Sequence, residues 1–245
     1  LSNMRNKLLA LVGSALLSGS AMAGGFQVNL ASQRQIGMGH TGTGLQTGTS
    51  SIFFNPGALS QIRENGVTVG ASVISSHIAF RAPEPTNVTA EADNDFGTPF
   101  QLYAAYKVDD MLTVGLGIYT PFGSGVRWGD QWGGRFALNE INLKAIFFQP
   151  TMSYKIGDKL GLGLGFVVAT GSVNLQRVLP VQNQNGTEGS IELDGSAKTG
   201  FGVNVGAFYQ ATEKLSIGID YRSKIDLEVG DGEVMFSNIP AAARG

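Results

Sequence analysis

The segment Tyr154–Leu160 (YKIGDKL) runs directly into Gly161–Phe166 (GLGLGF), and these thirteen residues decide the fold. Lysine, glycine and aspartate form a polar turn between an aromatic and a leucine. Beyond it, Leu160, Leu162, Leu164 and Phe166 alternate with Gly161, Gly163 and Gly165. A period of two places every large side chain on one face of a strand and leaves the other face bare. The unit recurs without gaps at Tyr106–Leu112 (YKVDDML) and Tyr209–Leu215 (YQATEKL). Alternating runs follow both, through Leu112, Val114, Leu116 and Ile118, and through Leu215, Ile217, Ile219 and Tyr221.

Alternation upstream of each turn (Phe100–Tyr106, Phe201–Tyr209 and, less regularly, Ala145–Tyr154) adds partner strands, and Val67, Val69, Ala71 and Val73 open the series. The reading is seven strands starting near 66, 98, 111, 143, 159, 198 and 214, with an incomplete eighth near Gly232. The repeated turns are short, whereas the other connections are long, at 77–97, 121–142 and 171–197. Short turns alternating with long loops are how transmembrane antiparallel β-barrels are built. The expected fold is therefore all-β, with Tyr106, Tyr154 and Tyr209 at an inner aromatic girdle. Tyr119, Phe122, Trp128 and Trp132 are expected at or beyond an outer one. A water-soluble sandwich is the other reading of such strands, but it explains neither the loop alternation nor the girdle positions.

Composition agrees with a membrane solvent. Of 245 residues 42% are apolar and 15% charged, against roughly 25% charged in an average soluble domain. A formal charge of −2 gives no basic footprint for nucleic acid. The N-terminus has the three parts of a secretory signal: Arg5 and Lys7, the apolar run Leu8–Leu17, and Ala21–Ala23 in the A-x-A pattern. This predicts domains at 1–23 (signal peptide cleaved after Ala23), 24–65 (plug) and 66–245 (barrel strands). A secreted chain without cysteine suits the Gram-negative envelope. The expected location is the outer membrane, with its lipid, lipopolysaccharide and barrel-assembly machinery as partners and a monomer as the working unit.

The motifs that suggest chemistry have weak support. Gly37–Gly42 matches G-x-G-x-x-G but lacks the strand and helix of a dinucleotide site. His40 and His77, the two histidines, do not make a zinc centre without cysteine. Ser76 and His77 would point to opposite faces of a strand, which argues against a hydrolase. Acidic clusters at Glu84–Asp95 and Glu188–Asp194 lack calcium-loop spacing and read as solvated loops. No cofactor, no metal and no enzyme activity is expected.

The stretch Ala23–Asn29 (AGGFQVN), the Gly-rich run after it and Phe54–Leu59 (FNPGAL) together resemble the outer-membrane long-chain fatty-acid transporters of the FadL family. Gly115–Gly123 (GLGIYTPFG), Leu162–Phe166 and Ile219–Lys224 (IDYRSK) are similar to it as well. The resemblance implies a barrel of about fourteen strands with the N-terminal segment folded inside as a plug, so that this chain would carry the first seven and continue elsewhere. It implies passive transport of hydrophobic molecules, long-chain fatty acids or aromatic hydrocarbons, by lateral diffusion out of the wall. In that reading Ile52, Phe53, Phe54, Asn55, Pro56 and Gly57 form the gate, set against the third strand. Gly115 and Gly117 permit a kink there, and Gly24, Gly25 and Phe26 line the ligand pocket. The family motif has Ala where this chain has Gly57. Two rival readings are a small closed barrel serving as structural anchor or adhesin, and an outer-membrane hydrolase.

Overall fold

The computed structural model describes residues 28–183 and 185–240. The expected signal peptide and Gly24, Gly25 and Phe26 lie outside the described residues. From Val28 to Asn65 the chain is short helical turns: α1 (Gln33–Ile36), a 3-10 turn at Gly48–Ser50, α2 (Ser51–Phe54) and a second 3-10 turn at Pro56–Gln61. The strands follow: β1 (Gly66–Ala71), β2 (Ala79–Arg81), β3 (Thr89–Glu91), β4 (Phe100–Lys107), β5 (Leu112–Arg127), β6 (Glu140–Ile156), β7 (Leu160–Gln182), β8 (Glu188–Ala197), β9 (Gly200–Thr212), β10 (Leu215–Arg222) and β11 (Val229–Ser237).

Seven of these make a continuous antiparallel wall in the order β1, β4, β5, β6, β7, β9, β10. They start at 66, 100, 112, 140, 160, 200 and 215, within three residues of expectation. The repeated turns close the hairpins as their composition demands. In the first, the Asp109 carboxylate accepts from the amides of Met111 and Leu112 at 2.7 Å each, and the Leu112 bond first, then that of Met111, holds it below the ordinary carboxylate range.

The wall bends around the 28–61 segment. Gln33 donates to the Ala71 carbonyl and Thr49 to the Thr68 hydroxyl on β1, while Ser216 on β10 donates to the Gly44 carbonyl. Both ends of the sheet thus touch one plug. Tyr103 of β4 donates to Ala31 O, and Ser153 of β6 accepts from the Ser60 amide.

The two faces of the wall differ as a membrane requires. Toward the plug lie small or polar residues, among them Gln101, Thr113, Gln149, Thr151, Ser153 and Asn204, all buried. The other face carries the large apolar side chains of the alternating runs, and Val69 and Ile219 are 72% and 71% exposed. In water such a band would be an aggregation surface; in hydrocarbon it is the natural exterior. Tyr106, Tyr154 and Tyr209 sit exposed at the turn end, in line with the predicted girdle.

Farther from the turns the faces exchange character. On β6 the outward residues are Phe148, Met152 and Tyr154 below, but Asn142 and Lys144 above. Register with β5 and β7 places Leu143 and Ile141 inward, beside Val173 and Leu175. On β7 the outward row passes from Leu162, Leu164 and Phe166 to Ser172, Asn174 and Gln176. The lipid-facing band ends near Phe148, and beyond it the strands are polar outside and apolar inside.

Three sequence expectations need correction. The connection 171–197 is largely strand, and 121–142 is strand at both ends (121–127 and 140–142), because β5, β6, β7 and β8 continue past the apolar band. Their outward residues turn polar there, which reads as loop in sequence. The eighth strand near Gly232 is β11, which pairs with β8, not with β10. Since β8 and β9 share one edge of β7, and β10 pairs β9 as β11 pairs β8, β11 is the outward continuation of the seventh strand. Tyr119 belongs to no outer girdle: it points inward, 1% exposed, because it falls on the face opposite Ile118.

Candidate functional site

The plug tip is built from the polar-to-apolar switch in Ser51–Ser60 (SIFFNPGALS). Extended backbone at Asn55 ends α2, and Pro56, with its fixed φ, opens the next 3-10 turn. Asn55 is fully buried and uses its whole amide. Its Oδ1 accepts from the Gly57 amide at 2.9 Å, and its Nδ2 donates to Thr43 O at 2.7 Å and to Ala207 O of β9 at 3.0 Å. The turn is thereby tied to the plug on one side and the wall on the other.

The seat beneath this turn is made of glycine. A Cβ at Gly163 would strike the Pro56 carbonyl and the Gly57 amide, one at Gly161 the Gly57 carbonyl, and one at Gly206 the Asn55 side chain. A Cβ on Gly57 itself would come within 2.7 Å of Gly161 O and 2.8 Å of Gly206 O. The bare face at Gly161 and Gly163 is therefore filled by plug backbone, while Gly165 lies under the Gln149 and Thr151 side chains of β6. This corrects the expected placement: Asn55–Gly57 sits on β7 and β9, not against the third wall strand, because only there do glycines on adjacent strands leave room.

Ile52 is what meets the third wall strand. It is fully buried, and its Cδ1 and Cγ2 occupy the space over Gly115 and Gly117. Those glycines pair regularly with Ala105 and Tyr103 on one side and with Thr151 and Gln149 on the other. They accommodate a side chain and cause no kink. Phe54 packs on Gly42 and, edge-on at 4.9 Å, on His40, whose imidazole burial holds below its ordinary range.

The irregularity in β5 falls a few residues later. Between Tyr119 and Phe122 its register with β6 slips by one residue, a bulge at Thr120–Pro121. The β4–β5 ladder ends at Gln101–Tyr119, where the Thr120 hydroxyl bonds the Phe100 backbone. Contact resumes only where Asp93 N donates to Arg127 O and Arg127 N to Asn94 Oδ1. Among the described residues, no backbone hydrogen bond joins β5 to the 94–99 segment between these points. A cavity of about 620 Å³ occupies the gap, lined by Ile74, Phe96, Phe100, Phe122, Val126 and Leu143 among others. Such a volume suits a small-molecule ligand. The gap opens just above Ile118 and Phe148, the last outward apolar pair, and Val28 of the plug donates to Pro121 O at 2.8 Å.

A second cluster holds α2 to the wall. Gln149 donates to Ile52 O at 2.6 Å, Arg222 donates to Phe53 O at 2.6 Å and to the Tyr119 hydroxyl at 2.7 Å, and Tyr119 donates to Gln149 Oε1 at 2.6 Å. The guanidinium lies 4.5 Å over the Phe53 ring. Sequence reasoning missed Arg222, Gln149 and the bulge. A proline inside an alternating run was the available signal for the last, since strands tolerate it at bulges and edges.

Toward the polar-outside end, Trp128 and Trp132 stack at 4.6 Å, and Arg135 pairs both ways with Glu188 at 2.8 Å. The paired guanidinium holds the Glu188 carboxyl below its ordinary range. Of the hydrolase candidates, Ser76 accepts from Asn94 while His77 is exposed.

A family model for outer membrane protein transport proteins (OMPP1/FadL/TodX) matches residues 14–243. The chain belongs to the OMPP1/FadL/TodX family. Among curated members, the 47 kDa outer membrane protein of Pasteurella multocida is 25% identical, covering 87% of this chain and 52% of its own. The long-chain fatty acid transport protein of Salmonella typhi is 21% identical, with 89% and 54% covered. The crystal structure of the Ralstonia pickettii toluene transporter TbuX superposes with a TM-score of 0.64 at 22% identity, over 82% of this chain and 59% of that one. The chain spans about half the length of the curated relatives it matches. Its seven-stranded wall and enclosed N-terminal segment are the OMPP1/FadL/TodX fold over that span, and the family is one of outer-membrane proteins.

Proposed function

We propose that the chain supplies the plug and half-wall of a passive outer-membrane channel for hydrophobic molecules, long-chain fatty acids or aromatic hydrocarbons. The observation that carries this reading is the gap between β5 and the 94–99 segment, lined by Phe96, Phe100 and Phe122 together with charged side chains such as Asp95, Arg127, Glu140 and Lys144, and touched by the plug at Val28–Pro121. Apolar cargo would enter over the apolar inner face above the band and leave sideways at the band's edge. A lateral exit avoids rehydrating the tail, at about 0.8 kcal/mol per CH₂. In this reading Asn55, Pro56 and Gly57 anchor the plug, Ile52 and Phe53 form its tip, and Gly24, Gly25 and Phe26 line the ligand pocket, as the family resemblance implies. Lipid and lipopolysaccharide outside, the barrel-assembly machinery during insertion, and action as a monomer complete the proposal. No catalytic step is needed.

Reconstitution in vesicles tests it. The protein should speed entry of a fluorescent fatty acid or of toluene while leaving sugar-sized polar solutes excluded by the seated plug. Equal passage of polar and apolar solutes would point instead to an open pore.

A further inference from the structure

We propose that His40 is a proton switch in the plug: protonation drives its imidazole away from Phe53 and Phe54 and frees the tip of α2, so that acid unseats the plug. The inference rests on the plug-and-wall reading above and not on which cargo is carried. His40 stands in the tight turn after α1, with a positive φ of 62° beside Gly39 at 68°, and its amide donates to Gln35 O at 2.6 Å. The turn carries the ring onto α2. There it meets Phe54 edge-on at 4.9 Å and Phe53 at 6.0 Å, while the two phenyl rings meet each other at 5.0 Å. The imidazole Nε2 is buried and has no hydrogen-bond partner.

This place suits a neutral imidazole and not an imidazolium. Charging the ring makes both nitrogens donors, where Nε2 already lacks a partner. Among the described residues no carboxylate stands within ion-pair distance of the ring to offset the charge. On the elements packed around it, α2 carries no ionisable side chain and α1 carries Arg34 alone. From the wall, β10 presents Asp220 and Arg222 toward the plug, and β5 presents Tyr119, whose ring lies 5.1 Å from that of Phe53. The Arg222 guanidinium is 4.5 Å over the same Phe53 ring, so a charged His40 would set a second cation against one aromatic. Burial accordingly holds the His40 pKa below its ordinary value. The contribution of the neutral ring to seating is therefore complete above the ordinary histidine pKa of about 6.5. It is lost as the pH falls through the lower, seated value. Arg222 holds Phe53 O and Gln149 holds Ile52 O, so a displaced Phe53 pulls on the bonds that fix α2.

Leak of sucrose from vesicles holding the full-length protein, followed from about pH 8 to about pH 5, tests the switch. Wild-type leak should rise about tenfold over that range, the equivalent of one pKa unit. His40→Phe keeps an aromatic ring on α2 and cannot titrate, so its leak should stay low and flat. His40→Asn tolerates the same positive φ and should also give a flat profile, whatever its baseline. His77→Gln, at the exposed second histidine, and Asp220→Asn should each keep the rise. A wild-type leak that does not change with pH, a rise that persists in both His40 variants, or a rise lost in either control overturns the switch. Uptake of a fluorescent fatty acid by the same vesicles at neutral pH reports on the channel reading separately.

Discussion

Asn55→Ala should release the plug from its wall. The substitution strips partners from Thr43 O, Ala207 O and the Gly57 amide, all of which Asn55 satisfies from a fully buried position. A buried polar group left unpaired costs about 1–3 kcal/mol. With three such groups, and some relief from water entering, the plug should lose about 3 kcal/mol or more of seating free energy. The wall strands keep their own ladders, so the loss should be local. Hydrogen exchange of the segment from Val28 to Gln61 should accelerate by about two orders of magnitude, while β5–β7 amides remain protected. Unchanged exchange in the plug would show that Asn55 does not anchor it.

A graded series at the glycine seat should give the second large effect. A Gly163→Val side chain would enter the space held by Pro56 and Gly57 backbone, which has no rotamer by which to yield. Overpacking of this kind costs about 1–3 kcal/mol, occasionally more. Gly57→Ala should be the milder of the two, since its single methyl meets the backbone at Gly161 O, Gly206 O and Ala207 Cα at 2.7, 2.8 and 2.9 Å, whereas even the Cβ of a Gly163 variant would strike the Pro56 backbone more closely than any of these. The family's alanine at this position thus demands a slightly wider seat than β7 and β9 provide here. Leak of a small polar solute into vesicles is the readout, and it should rise from wild type through Gly57→Ala to Gly163→Val. A reversed order would mean that the turn does not rest on β7.

Much of this architecture is legible before any coordinates. The period-two runs and the three Tyr-to-Leu turns locate all seven wall strands, because a strand with one face in lipid must alternate. What alternation cannot express is where a strand leaves the membrane. Past Phe148 and Phe166 the apolar face turns inward, and residues such as Lys144 and Ser172 then mimic a loop. The contents of the candidate site were half visible. Asn55–Gly57 stands out as a turn, and the glycines of β5, β7 and β9 stand out as bare faces. Pairing each bare face with its occupant requires three-dimensional register: Ile52 fills the face at Gly115 and Gly117, while the turn fills the one at Gly161 and Gly163. Arg222 was invisible as a site residue because a single arginine at a strand end is ordinarily a solvated charge. Only the carbonyl of Phe53 and the hydroxyl of Tyr119 beside it distinguish it.

If cargo leaves through the gap created by the Thr120–Pro121 bulge, deletion of Pro121 should close its exit. Removing the extra residue restores one register along β5 and lets the ladder toward the 94–99 segment close. Uptake of a long-chain fatty acid into vesicles containing the deletion variant should fall at least about tenfold, the equivalent of rehydrating two methylenes, while the barrel still assembles and polar solutes stay excluded. Uptake at the wild-type rate through a variant whose β5 register is shown to be continuous would mean that cargo does not leave at the bulge.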